Sequence, residues 1–131
     1  MKLEYLDNLS DGGKFQQVVS ENLVRLYDFD QDQTEALVHL IHQNLLLNKQ
    51  ALDLSSVAFI ESVNCQLILQ LSQADKGVLP SGQPNSFVCY LTEASYQNMV
   101  GMMKASSGGH HWLCDTSEAD IDFLYSSGGM W

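Results

Sequence analysis

The densest run of chemistry-bearing residues is Gly109-His110-His111-Trp112-Leu113-Cys114-Asp115. Imidazole nitrogen and thiolate sulfur are good ligands for zinc and similar divalent metals, so His110, His111 and Cys114 raise a metal reading. Side chains alternate across a strand, which puts His110 and Cys114 on one face and His111 on the other. One strand therefore offers two ligands to a face, and a full set needs His39 and His42 from elsewhere in the chain. Those two are three residues apart, a spacing that brings them together on a helix, yet helical periodicity sets them on the polar side. Surface histidines and a core-facing thiol are the better reading. No cofactor is expected, and zinc or a similar ion enters only under the metal alternative.

The run Asp28-Phe29-Asp30-Gln31-Asp32 has the carboxylate spacing that opens a calcium loop. Such a loop needs glycine at its sixth position and a bidentate glutamate at its twelfth, where this chain has Gln33 and His39. Both requirements fail, and carboxylates meeting the free N–H groups of a helix start fit better. Nucleophilic catalysis has no support either. There is no G-x-S-x-G elbow, and Cys65 and Cys89 sit at apolar-alternating positions where inert buried thiols belong. The pairs Gly12-Gly13, Gly108-Gly109 and Gly128-Gly129 lack the strand-before, helix-after setting of a phosphate cradle.

Charge is the strongest global signal. Sixteen Asp and Glu stand against six Lys and Arg, a formal balance of −10. That excess argues against direct contact with nucleic acid or a membrane, whose phosphates want Lys and Arg stripes. It suits a basic protein partner. Two stretches concentrate the acid with no Lys or Arg among them: Asp28, Asp30, Asp32 and Glu35, then Asp115, Glu118, Asp120 and Asp122. Brought together, they would form a single-sign patch able to steer such a partner, with Trp112 and the terminal Trp131 as aromatic anchors.

These residues need elements to hold them. Leu3–Leu6 reads as a short strand, and Phe15–Val19 and Asn22–Phe29 are strand-like. The last is apolar on both faces, which suits a central strand. A helix spans about 31–47, opened by a capping box from Asp30 with Gln33 or from Asp32 with Glu35. Leu37, Leu40, Ile41, Asn44 and Leu45 make its sheet-facing side, and Glu35, His39, His42 and Gln43 its other side. Ala51–Leu54, Val57–Ile60, Asn64–Leu71 and Ser86–Leu91 read as strands, separated before the last by a long, flexible loop over Gln73–Asn85. Thr92 caps a second helix through about Lys104, with Tyr96, Met99, Val100 and Met103 as its apolar stripe. His111–Cys114 and Ile121–Tyr125 close the pattern ahead of a flexible tail over 126–131.

The expected fold is α+β: one domain over 1–131, with about six mostly antiparallel strands under two amphipathic helices. Its 131 residues suffice for one core. An odd count of three cysteines and a start without a signal-length apolar run point to the cytoplasm. The function this favours is a non-catalytic acidic module of the inhibitor, immunity or adaptor type. The alternatives are a metal-binding protein or enzyme built on the His/Cys cluster, and a homodimer joined through a sheet edge or the tail.

Overall fold

The computed structural model describes residues 1–7, 22–105, 110–114 and 121–126, with backbone alone for 7, 22, 105, 110–112 and 114. Apolar alternation builds the sheet outward from its middle. β1 (Lys2–Asp7) and β2 (Asn22–Tyr27) pair antiparallel, with Leu3 opposite Leu26 and Tyr5 opposite Val24. β9 (Ile121–Ser126) runs parallel to β2 on its other side and adds Phe123 and Tyr125 to the same buried face. On the opposite face Leu23 and Leu124 are also buried, so β2 is central and covered on both sides. There Arg25 donates through Nη2 and Nε to Glu4 Oε1 (2.7 and 3.0 Å) and lies over the Tyr27 ring.

Two helices cover the inner face. Asp30 starts α1 (Gln31–Ile41) with a full capping box: its carboxylate accepts the Gln33 N–H at 2.9 Å, and the Gln33 side chain accepts the Asp30 N–H at 3.2 Å. The helix does not stop at Ile41 but widens into a π segment, His42–Leu47. Asn44 Nδ2 donates to the Leu40 carbonyl across the widened turn. Leu45 and Leu46 are both buried there, joining Leu37, Val38 and Ile41. The second helix, α2 (Glu93–Ala105), begins where the Thr92 hydroxyl accepts the Ser95 N–H. Its Tyr96, Met99, Val100 and Met103 are all buried.

The remaining strands are β3 (Leu52–Asp53), β4 (Glu61–Ser62), β5 (Gln66–Leu71), β6 (Gly77–Pro80), β7 (Ser86–Leu91) and β8 (His110–Cys114). All nine belong to one sheet in the order β3-β5-β7-β6-β9-β2-β1-β4, with β8 branching off beside β9. The sheet curls. Tyr5 on β1 and Phe87 on β7 are four strands apart in that order, yet their ring centroids are 4.6 Å apart. β4 and the residues just after it close this curl. Glu61 and Val63 donate backbone N–H groups to the Met1 and Leu3 carbonyls, and Asn64 then gives and takes a hydrogen bond with the Tyr5 backbone before the chain enters β5.

Four sequence expectations need correction. The α+β class with two helices on a sheet stands, but among the described residues the sheet has nine strands rather than about six, and it is mixed: five of its eight strand pairings are antiparallel and three are parallel. β1–β4, β2–β9 and β5–β7 pair in parallel. The wet Gln66 and Gln70 beside buried Leu67 and Leu69 mark a one-sided sheet, which a curled mixed sheet shows as well as an antiparallel one. The segment Gln73–Asn85 is not one loop, because Gly77–Pro80 forms β6, entered at Gly77 through a φ of 80° that a side chain would strain. Val57–Ile60 is a turn, not a strand. The Phe15–Val19 strand lies outside the described residues, and Ser126, assigned to the tail, belongs to β9. Among the described residues no helix is long and apolar enough to cross a membrane.

Candidate functional site

The two helices run antiparallel. Lys49, just past the π segment, holds Glu93 at the start of α2 through an ion pair of 2.8 Å, and Val100 and Lys104 further along α2 line one groove with residues of α1. Side chains along this seam enclose a groove of about 440 Å³ lined by Gln31, Thr34, Glu35, Val38, His39 and His42 from one helix and Val100 and Lys104 from the other. The spacing on α1 follows from helix geometry: residues 31, 34, 35, 38, 39 and 42 form one face at intervals of three and four. Val100 and Lys104 are one turn apart on α2.

The floor of the groove is apolar and fixed. Val38 and Val100 are buried, and so is Thr34, whose hydroxyl shares a hydrogen bond with Tyr125 on β9. Phe29 stacks against the same tyrosine at 4.3 Å. Burial pushes the Tyr125 phenol above its usual range, so it stays protonated beside Thr34. The rim is polar and exposed: Gln31, Glu35, His39, His42 and Lys104. Gln31 Nε2 donates to Glu35 Oε1 at 3.3 Å, and no ion pair joins Glu35 to Lys104.

His39 and His42 thus stand on the exposed side of the helix, as helical periodicity places them, and line one groove together. Among the described residues no group of three or more His, Cys, Asp or Glu could hold a metal ion. The backbone of His110, His111, Trp112 and Cys114 forms β8 as a strand paired with β9, with His111 opposite Tyr125. Their side chains lie outside the described residues, as do Asp115, Asp120 and Trp131 altogether.

The first acidic stretch lies at the head of α1. Asp28 turns the chain out of β2 at a positive φ of 56° and faces Lys2 across 3.6 Å of exposed surface. Asp30 is occupied as the helix cap, while Asp32 and Glu35 are exposed on the first turns of α1. Asp122 is not part of this group. It lies beside Leu23 on β9, and β2 runs on from Leu23 to Asp28, about 16 Å further along the strand.

The sequence did not single out Gln31, Thr34, Val38, Val100 or Lys104 as site residues. A usable signal was present in the four-residue spacing of Val100 and Lys104, but pairing it with α1 requires the antiparallel seam. A scan of the sequence against protein-family models returned no match, and neither did a search of curated proteins.

Proposed function

We propose that this chain is a non-catalytic acidic binding module, of the inhibitor, immunity or adaptor type, whose partner is a basic protein. The carrying observation is the exposed group Asp28, Asp32 and Glu35 at the head of α1, where among the described residues Lys2 is the one cation paired to any of them. That pair is long and exposed and neutralises little. In a chain of net charge −10 the group presents a mainly acidic edge to an approaching partner, with Lys2 and Lys104 as the cations near it. Such an edge acts mostly on the association rate, while desolvated aromatic contact holds the complex, a role for Trp112 and Trp131. Asp115, Asp120 and Asp122 extend the same mechanism to a second edge.

The test is to neutralise the first edge with Asp28→Asn, Asp32→Asn and Glu35→Gln together. Association with the partner should slow by about tenfold at low salt, and its salt dependence should flatten. If both are unchanged, this edge is not the contact. A cytoplasmic setting suits the two buried free thiols, Cys65 and Cys89.

One observation favours a second possibility, a metal site: His39 and His42 open onto the same groove. It requires His110, His111 or Cys114 to supply the remaining ligands. Stoichiometric zinc in natively purified protein, lost on His39→Ala and on His110→Ala, would establish it. Protein carrying less than about a tenth of an equivalent would rule it out.

A further inference from the structure

We propose that the groove between α1 and α2 binds a free α-amino acid, its head group at the Glu35–Lys104 end and its side chain laid between Val38 and Val100. This goes beyond the recognition of a basic protein; the two share Glu35, while Lys104, Val38 and Val100 belong to this site alone.

The first observation is an unpaired cation. Five of the six cations are described, and four are engaged: Lys2 and Lys49 in ion pairs with Asp28 and Glu93, Arg25 with Glu4, and Lys76 over the Tyr90 ring. Among the five described Lys and Arg residues Lys104 alone makes no ion pair, side-chain hydrogen bond or ring contact, and it lines the groove. With carboxylates in large excess, an ammonium without a partner beside a formed groove is available to the anionic end of a ligand.

The second observation is what shares the groove with it. The field of a chain at −10 disfavours a ligand of net negative charge, so the anion must come with a compensating cation. Glu35, near the same end of the antiparallel seam, accepts that cation. Carboxylate and ammonium on one carbon are the head group of an α-amino acid. The buried Val38 and Val100 then receive an aliphatic stem, and His39 and His42 stand beyond them to meet a polar tip. The dimensions agree. From Gln31 to His42 the helix rises about 16 Å, and 440 Å³ lies within the roughly 300–1,000 Å³ of small-ligand sites. The π segment begins at His42, and π turns recur where a helix has been adapted to a functional site.

The experiment measures thermal shift and then calorimetric binding for each proteinogenic L-amino acid, with the N-acetyl and carboxamide derivatives of whichever binds. A free amino acid should raise Tm, and both derivatives should bind at least about tenfold more weakly, because each lacks one of the two charges. Lys104→Met, an exposed substitution, should leave the unliganded Tm unchanged and weaken binding by roughly ten- to a hundredfold. The proposal is overturned if no amino acid raises Tm or if Lys104→Met binds as well as wild type. Equal binding of the N-acetyl form also overturns it and indicates a peptide C-terminus instead.

Discussion

Tyr96 shows how much can rest on one hydroxyl. The side chain is fully buried. Its oxygen accepts the Gln70 N–H at 2.9 Å, and its O–H faces the Cys89 carbonyl at 2.7 Å and the Gln70 carbonyl at 3.0 Å, fastening α2 to the seam of β5 and β7. Tyr96→Phe removes the hydroxyl and leaves these backbone groups without this partner, so it should cost about 1–3 kcal/mol in urea unfolding. An unchanged midpoint would mean that the hydroxyl carries no such burden. Cys65 makes a prediction of the opposite kind, about pH. Burial, helped by the charge of Glu4, pushes its thiol from 9.0 up to about 12. The folded state therefore holds this proton more tightly than the unfolded chain. Its contribution to stability is complete below about pH 9 and is lost as pH rises toward about 12. Wild-type stability should fall more steeply over that window than that of Cys65→Ala; parallel curves would contradict the assignment. The burial of Cys65 and Cys89 was legible from period-two alternation. The use of the Tyr96 hydroxyl was not, because its partners come from two strands distant in the chain.

Among the elements, the helices were the legible part, since caps and apolar stripes are local. Of the two capping boxes open to α1, Asp30 with Gln33 is the one formed, and Asp30→Ala should cost about 1 kcal/mol. Gly101 lies on the exposed side of α2, and a Cβ added there meets nothing within 4 Å. Gly101→Ala should therefore stabilise by up to about 1 kcal/mol, seen in calorimetry as a Tm higher by roughly 3–5 °C. A lower Tm would show that the backbone at 101 needs glycine. The α1 face was only partly legible. A regular helix places Leu37, Leu40, Ile41, Asn44 and Leu45 toward the sheet; Leu40 does pack against the core but is only half-buried, as is Asn44, while Val38 and Leu46 join the fully buried set. Wider π turns bring Leu46 round to the side of Ile41, and no local pattern announces them. The two-residue strands β3 and β4 are too short for any periodicity, and β6 was hidden among the turn residues of Gln73–Asn85.

At the scale of the whole molecule, strand order and sense decide what is a site. Parallel pairing of β2 with β9 sends Asp122 to the far end of the strands from Asp28, so the acidic residues do not merge into one patch through these positions. The antiparallel helices bring Glu35 and Lys104, distant in sequence, to one groove. Neither fact is written in composition or spacing, which is why charge was legible and its arrangement was not. The central claim remains electrostatic recognition of a basic protein by the head of α1. It is tested most directly by affinity capture from a lysate of the source organism at low and high salt, with wild-type chain and the Asp28→Asn, Asp32→Asn, Glu35→Gln variant side by side. Retention of one basic protein by wild type at low salt, weakened by high salt and by the variant, is the expected result. Capture that ignores both salt and the three substitutions, or no captured protein at all, would contradict it.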